Sequence, residues 1–321
     1  MRREGSALHG LSVVLLKELR DHLASVRMLV LQILVVVFAV VAVYLAIDQI
    51  KDVTAEDPFL FLRLFTAQRE GIPINLLLLL TILVPVFGIG LGFDAINSEH
   101  NHRTLSRILS QPIYRDALLF GKFFAALLTL SISLLALWIL LIGLGLLRVG
   151  VPPTGEEMAR AFIFLLVTIA YAAVWLALAL LFSTIFRSAA TAALVTFGLW
   201  LFLWLMWPFV SSMLAQLIAP LDPRYIALGL PTPETTEWET SLSRLSPTTL
   251  YGEVAVALLN PATRSLGPIY LAQLQGAVPG APLPLEQSLI IAWPQMVGLV
   301  AGSILLFVAG YIVFQRQEVR A

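Results

Sequence analysis

Six runs of apolar residues, each without an Asp, Glu, Lys or Arg, dominate this sequence of 321 residues. A helix needs about 20 residues to cross a hydrocarbon layer of about 30 Å. With 59% hydrophobic and only 12% charged residues, the chain is far less charged than soluble domains, where the share is about 25%. The sequence therefore predicts an all-α integral membrane protein with six transmembrane helices, Met28–Ile47, Ile72–Phe93, Phe123–Leu147, Ala161–Phe186, Ser188–Met206 with an apolar extension to Leu221, and Gln287–Phe314.

The distribution of charge predicts the orientation. With six spans, both termini share one side, and that side carries a net charge of +5 against −5 on the other. Lys and Arg near span ends favour the cytoplasm, so both termini are predicted to be cytoplasmic in a cell membrane. The alternative is that one of the six segments does not cross the membrane, which would reverse the orientation of every span after it. The cations on the predicted cytoplasmic side are Arg2, Arg3, Lys17, Arg20, Arg27, Arg103, Arg107, Arg115, Lys122, Arg187, Arg316 and Arg320.

Residues 1–27 form a predicted cytoplasmic leader before the transmembrane domain of residues 28–321. Glu18 and His22 interrupt an otherwise apolar helical side, and Lys17, Arg20 and Asp21 lie elsewhere. We expect an amphipathic helix at the membrane interface. A solvated helical leader is the alternative. The apolar side consists of Leu11, Val14, Leu15, Leu19, Leu23 and Val26.

Between the last two spans, residues 222–286 are rich in Pro, Thr and Glu and too polar for a membrane core. Ser246-Pro247-Thr248 is typical of a helix start, and Asn260-Pro261 would end that helix. Leu250, Val254 and Leu258 would give the helix one apolar face. We expect a small extracytoplasmic cap.

The segment between the second and third spans, residues 94–122, reads DAINSEHNHRTLSRILSQPIYRDALLFGK and is dense in charge for this chain. Leu105, Ile108 and Leu109 stand at helical spacing, so Thr104–Gln111 is predicted to form a short amphipathic helix. Pro112 would terminate that helix. A short helix between two spans can dock on a neighbouring protein.

This segment resembles the permeases of the ABC-2 exporter family, in which D-x-I-x-x-E-x-x-x-x-T-L-x-x-L-L-S-x-P-I-x-R, followed by G-K, joins these two spans. Arg103 replaces the family's usual Gly, and Ile108 replaces a Leu. With the leader, the six spans and the long last loop, the resemblance covers essentially the whole chain, and it includes the permeases of copper-processing systems that mature nitrous oxide reductase. The residues in register are Asp94, Ile96, Glu99, Thr104, Leu105, Leu109, Ser110, Pro112, Ile113, Arg115, Gly121 and Lys122.

The resemblance implies a cytoplasmic coupling helix that fits a groove on a separate ABC ATPase. It also implies two permease copies, as a homodimer or heterodimer, over two ATPases, with ATP and Mg²⁺ bound by the ATPase and no cofactor in this chain. The predicted coupling residues are Glu99, Arg103, Thr104, Leu105, Arg107, Ile108, Leu109 and Pro112.

The remaining charged residues of the segment have two interpretations. Asp94, Arg115 and Lys122 are predicted as anchors at span ends. An acidic residue contributes little to the orientation of a membrane protein, and Glu99 lies on the side that is rich in Lys and Arg. We therefore expect Glu99 to pair with a cation in the loop or on the partner. His100 could be a metal ligand together with His102, but a solvated loop is the preferred interpretation.

Two glycines of the second span, Gly88 and Gly92, are predicted to allow close helix packing rather than to form a gating hinge. Either role would serve a dimer interface. The spans otherwise offer scattered polar residues that could bond their own backbone carbonyls, namely Thr81, Thr129, Ser131, Ser133, Tyr171, Ser183 and Thr184.

Several function classes are disfavoured. Gly121-Lys122 is not a nucleotide-binding loop, because Phe123 follows it and Asp116 stands where the first Gly should be. The chain lacks Cys, and its net charge of zero gives no basic stripe for nucleic acid. An ion-coupled secondary transporter would need charges within its spans. That transporter and a non-transporting structural subunit are the alternatives to a non-enzymatic permease.

Overall fold

The computed structural model describes residues 10–52, 59–67, 75–101, 114–150, 152–227, 232–266 and 282–316, and all regular secondary structure in these ranges is helical. The helices are α1 Leu11–Leu23, α2 Val26–Asp52, α3 Arg63–Thr66, α4 Leu76–Gly92, α5 Asn97–Asn101, α6 Arg115–Val149, α7 Gly155–Ile185, α8 Ala189–Leu201, a π-helical turn Phe202–Met206, α9 Trp207–Ile218, α10 Pro223–Ala227, α11 Pro233–Ser243, α12 Pro247–Leu259 and α13 Leu285–Arg316.

The six predicted spans are confirmed, since six helices are long and apolar enough to cross a membrane. Two spans begin more than a helical turn earlier than predicted, and each therefore contains charged residues. M3 begins at Arg115, which places Lys122 inside the helix. M4 begins at Gly155 because Thr154 and Glu157 form a capping box there. The spans are M1 Val26–Ile47, M2 Leu76–Glu99, M3 Arg115–Arg148, M4 Gly155–Ile185, M5 Ala189–Ile218 and M6 Leu285–Arg316.

M4 is the centre of the bundle. Its most apolar stretch is 78% buried, compared with 17% for both M5 and M6. It packs against M2, M3, M6 and α12, and its side chains Phe164, Tyr171 and Trp175 are fully buried. A movement of M4 would therefore displace most of the helices in the bundle.

M5 contains the π-helical turn because Pro208 interrupts its hydrogen bonds. The Trp207 N–H reaches back to the carbonyl of Phe202, and Pro208 has no N–H to offer to Leu203. The free carbonyl of Leu203 instead accepts a hydrogen bond from the Ser246 hydroxyl at 3.0 Å. This bond joins M5 to the turn between α11 and α12.

The predicted α12 is confirmed, from Pro247 to Leu259, but it does not belong to an external cap. Tyr251 is fully buried, stacks on Tyr171 of M4 with 4.3 Å between ring centroids, and its hydroxyl lies 3.1 Å from that of Thr168. Tyr171 lies about 24 Å along M4 from Arg187, which is inside a hydrocarbon layer of about 30 Å. This part of the predicted cap is therefore packed between the spans.

At the end of M4 near α12, called the outer end here, Arg160 joins three segments. Its guanidinium is fully buried and donates to the carbonyl of Leu258 at 3.1 Å, to that of Leu283 at 2.6 Å and to the Ser288 hydroxyl at 3.1 Å. Glu156 supplies the counter-charge at 2.9 Å. These five residues form the Arg160 cluster, which fixes α12 and the start of M6 to M4.

Candidate functional site

At the opposite end, called the loop end, Lys122 joins three elements that are distant in sequence. Its side chain is 5% exposed, and its ammonium lies 3.0 Å from Oε1 of Glu18 on α1 and 3.2 Å from Oε1 of Glu99 on α5. We call Glu18, Glu99 and Lys122 the Lys122 cluster. Glu99 thus has the cationic partner expected for it, at the start of the predicted coupling segment.

The leader helix reaches Lys122 because Gly121 has no side chain. A Cβ at Gly121 would lie 2.6 Å from Cγ1 of Val14, closer than side chains approach. Val14 and Glu18 are buried at this contact, whereas Val13 and Leu16 are 66% and 63% exposed. Helix α1 therefore docks on M3.

This docking corrects the predicted apolar side of α1. Glu18 and His22, which interrupt that side in the sequence, lie on the buried or half-buried face. Leu23, which was assigned to the apolar side, is 48% exposed. The signal that could have revealed this is the spacing of Glu18 four residues after Val14, which places a carboxylate on the packed face.

The charged and buried groups of α1 near Lys122 have shifted pKa values. Burial alone would raise the pKa of Glu18, but Lys122 and Lys17 outweigh it and lower that pKa below its ordinary value. Burial lowers the pKa of His22. Although burial opposes it, contact with Glu18 raises the pKa of Lys17. At neutral pH, Glu18 is therefore a carboxylate and Lys17 an ammonium group, and His22 beside them is a neutral imidazole.

A second ion pair ties M1 to M2. The guanidinium of Arg27 binds both carboxylate oxygens of Asp94, at 2.7 and 3.1 Å, and donates to the carbonyl of Gly90 at 3.2 Å. It also lies 5.1 Å from the ring centre of Phe93. Asp94 therefore sits at the span end where it was predicted, but with a protein partner.

The first part of the loop is also tied to M4. The Ser183 hydroxyl accepts hydrogen bonds from the N–H groups of Ile96 at 2.9 Å and Asn97 at 3.3 Å. The side chain of Asn101 donates to the carbonyl of Arg187 between M4 and M5 at 3.0 Å. The sequence offered Ser183 only as a scattered polar residue.

The other end of the loop is tied to M6. Asp116 accepts hydrogen bonds from the Tyr311 hydroxyl, at 3.1 Å, and from the Gln315 amide. Arg115 is the first residue of M3 and is partly buried. The sequence did not predict this connection between M3 and M6.

Gly88 and Gly92 lie against M4. A Cβ at Gly88 would be 2.9 Å from the carbonyl oxygen of Ala172, and one at Gly92 would be 2.8 Å from Cβ of Ala179. The face of M2 that these glycines form is covered by M4 of the same chain. It is therefore not free for a second copy, contrary to the predicted dimer interface.

Most scattered polar residues of the spans bond their own helix, as expected. Such a bond satisfies a hydroxyl within apolar surroundings. Thr81, Thr129, Ser131, Ser133 and Thr184 each donate to a carbonyl three or four residues earlier.

Part of the predicted site lies outside the described residues. This applies to the side chain of His100, to His102 and to the predicted short helix, and their roles stay predictions. In the part of the chain that the structure describes, no three His, Asp or Glu residues group as metal ligands. The coupling residues concerned are Arg103, Thr104, Leu105, Arg107, Ile108, Leu109 and Pro112.

Comparisons with known proteins agree with the resemblance seen in the loop. The family model for ABC-2 family transporter proteins matches residues 12–319. A protein named "Probable ABC transporter permease protein NosY" from Stutzerimonas stutzeri is 26% identical over 245 residues, covering 74% of this chain and 78% of that protein. Its namesake from Pseudomonas aeruginosa is 30% identical over 179 residues, covering 54% and 58%. This chain therefore belongs to the ABC-2 transporter family, as a multi-pass membrane subunit.

Proposed function

We propose that this chain is the translocating half of an ATP-driven exporter, driven by a separate ATPase through the segment from Glu99 to Pro112. Membership of the ABC-2 family supports an ATPase partner. The single observation that supports the route is the Lys122 cluster, where the start of this segment meets α1 and M3 within 3.2 Å. ATP and Mg²⁺ would be bound by the ATPase, and two permease copies would face two ATPases.

The contacts around the Lys122 cluster indicate which spans would move if the ATPase displaced the segment from Glu99 to Pro112. Glu99 would act on M3 through Lys122, and Asn101 would act on the turn between M4 and M5. Asp94 would act on M1 through Arg27. Packed helices respond to such forces by small tilts and shifts. Closure of the ATPases could thus tilt several spans together.

An ion-coupled secondary transporter is the first alternative. Such proteins place ionisable groups on an ion pathway near the middle of the membrane. Here Lys122 and Arg160 lie near opposite ends of the bundle, and each is paired with a carboxylate. These positions favour structural ion pairs over an ion pathway.

Replacing Glu99 by Gln tests the proposal and also addresses the second alternative, a structural subunit without a transport cycle. The purified ATPase would be reconstituted with the full chain in proteoliposomes, and the stimulation of ATP hydrolysis by the permease would be measured. We expect Glu99→Gln to lower that stimulation several-fold, the range for a residue that carries coupling free energy, with normal membrane insertion.

The matched control is Glu234→Gln, which changes an exposed carboxylate at the outer end. Unchanged stimulation with Glu99→Gln would contradict the route through Glu99. No stimulation by the wild-type chain would favour the structural subunit.

We further propose that both termini and the loop end face the cytoplasm. A reporter fused within Thr232–Glu239 tests this orientation, because these residues lie between M5 and M6. An extracytoplasmic signal is expected, and a cytoplasmic signal would overturn the orientation.

A further inference from the structure

The proline of M2, like that of M5, leaves one backbone carbonyl without its helical partner. Pro85 lies inside M2, and it has no N–H for the carbonyl of Thr81 four residues earlier. That carbonyl instead accepts a hydrogen bond from the Tyr171 hydroxyl of M4 at 3.1 Å. In M5, the free carbonyl of Leu203 is bound by the Ser246 hydroxyl in the same way, at 3.0 Å. A hydroxyl from another segment therefore closes each interruption.

The two interruptions lie at a similar depth. Thr81 is about 20 Å along M2 from Asp94, and Leu203 is about 22 Å along M5 from Ser188. Both lengths are measured from the loop end, and both points lie inside a hydrocarbon layer of about 30 Å. A proline bends or weakens a helix where it removes a hydrogen bond. M2 and M5 are therefore weakened at the same level of the membrane.

The start of α12 connects the two interruptions. The Thr248 hydroxyl lies 3.1 Å from that of Tyr171, and Thr248 is the donor because Tyr171 gives its single proton to Thr81. Ser246, two residues before Thr248, supplies the bond to M5. The first turn of the helix joins them, since the Leu250 N–H donates to the Ser246 carbonyl at 3.2 Å. The same helical turn therefore binds M5 directly and M2 through Tyr171.

The hydroxyl of Ser246 serves M5 rather than its own helix. A serine just before a helix normally accepts a hydrogen bond from an N–H of the first turn, but Ser246 makes no such capping bond. It is fully buried, and its proton goes to the carbonyl of Leu203. On the other side, Tyr251 of α12 stacks on Tyr171 at 4.3 Å. A continuous series of contacts therefore runs from M2 through Tyr171 and α12 to M5.

We propose that Ser246 and Thr248 couple the two interruptions, so that M2 and M5 change their bend together. If the hydroxyls only satisfied the carbonyls that the prolines free, each span would bend independently. The shared turn of α12 opposes independence, because a displacement of Tyr171 by M2 moves Thr248 and, with it, Ser246. Packed contacts of this kind have few alternative arrangements and therefore transmit small displacements. This inference does not depend on ATP-driven transport.

The test measures the two spans separately in the full-length chain, in lipid nanodiscs. Because the chain has no Cys, spin labels can be placed in pairs and their distance distributions measured by double electron–electron resonance. Leu78→Cys reports the outer part of M2, and Leu217→Cys, at a position that is 69% exposed, reports the outer part of M5. Each is paired with Ile290→Cys of M6, which is 74% exposed and lies two residues from Ser288 of the Arg160 cluster.

Removing either hydroxyl should affect both spans. Ser246→Ala and Thr248→Val should each broaden both distributions, through a second conformation whose population rises about fivefold, as expected for the loss of one hydrogen bond. Thr240→Val is the matched control, because the Thr240 hydroxyl bonds the Thr236 carbonyl of its own helix. It should leave both distributions unchanged. Adding Pro208→Ala to Ser246→Ala should reverse the broadening in both spans, since the restored N–H can bind the free carbonyl.

Three results would overturn the proposal. The first is that Ser246→Ala broadens only the M5 distribution and Thr248→Val only the M2 distribution, because the hydroxyls would then serve two independent interruptions. The others are unchanged distributions in both variants and equal broadening in Thr240→Val. If either variant fails to fold, Tyr171→Phe gives the same test, because it removes the hydroxyl that binds M2 and keeps the stacked ring. Its effect on the M5 distribution then decides the proposal.

Discussion

Each end of the bundle contains a buried cation, but the two cations are held differently. Arg160 is fully buried, and two of its hydrogen bonds go to the backbone carbonyls of Leu258 and Leu283, in addition to those accepted by Glu156 and Ser288. Lys122 is held by the carboxylates of Glu18 and Glu99, whose side chains are 12% and 15% exposed. Backbone carbonyls cannot leave a folded helix end, whereas carboxylates can exchange partners with water or a docked protein. The outer end is therefore fastened, and movement can enter at the loop end.

The largest effect is expected from Arg160→Leu. The change would leave two carbonyls and the Ser288 hydroxyl without their donor, and breaking a buried charged network costs about 3–5 kcal/mol. The unfolding midpoint of the purified chain, followed by Trp fluorescence, should fall strongly. Arg148→Leu, at an exposed position of M3, should change it little. Equal midpoints for the two variants would show that the outer end is not fastened by Arg160.

The next largest effect is expected from Lys122→Met. Without the ammonium, Glu18 and Glu99 would lose the positive charge that lies between them, and their partial exposure reduces the cost to about 1–3 kcal/mol. Because the chain has no Cys, undocking of α1 can be measured by alkylation of Val14→Cys. The rate should rise about tenfold, equivalent to about 1.4 kcal/mol.

Lys17→Met is the matched control, since Lys17 also contacts Glu18 but is 59% exposed. It should raise the rate only slightly. Adding Glu18→Gln to Lys122→Met should recover part of the docking, because one of the two carboxylates that repel each other is removed. An unchanged alkylation rate in Lys122→Met would show that packing at Gly121 alone holds α1.

The comparison also explains what the sequence could predict. The length of a run without charged residues can be read from the local sequence, and it identified all six spans. Pro247 and Asn260-Pro261 likewise predicted the two ends of α12. The partners of Arg160 and Lys122 come from segments far apart in the chain, and local patterns carry no information about such pairs. Both cations were therefore placed outside the predicted spans, although each lies within a continuous helix.

The position of α12 was missed for a related reason. Its sequence begins with polar residues and is followed by Asn260-Pro261, which is typical of a surface segment, and only Tyr251 and its apolar neighbours show that it is buried. The ring of Tyr251 stacks on that of Tyr171 at 4.3 Å, but such a contact does not change the hydrophobic periodicity of the sequence. The pairing of Glu99 could be anticipated, because an acid among many cations has few other roles.

A smaller effect is expected from Gly88→Ala, which tests the contact that connects M2 with M4 between the two ends. The new methyl group would meet the backbone of Ala172 and Leu176 at 2.9 and 3.1 Å, and overpacking costs about 1–3 kcal/mol. The unfolding midpoint should fall by less than in Arg160→Leu. Gly90→Ala, whose nearest neighbour is a flexible Leu31 methyl at 3.4 Å, should be neutral or slightly stabilising. Equal effects would mean that M2 and M4 can separate freely.

The smallest effect concerns pH at the loop end. The pKa of His22 is lowered by burial and by Lys122 and Arg27, whereas Glu18 and Asp94 oppose this. When α1 undocks, the pKa returns to about 6.5, so the undocked state binds more protons just below that pH. Docking should therefore weaken as pH falls below about 6.5.

The measurement is the alkylation rate of Val14→Cys relative to that of Val13→Cys, which cancels the intrinsic pH dependence of the thiol. The ratio should rise between pH 7 and pH 5, and His22→Gln should flatten that rise. Glu18 does not confuse the result, because its lowered pKa keeps it ionised over this range. An equal slope with and without His22 would assign the pH dependence to another group. A flat profile would mean that the loop end is fastened as firmly as the outer end.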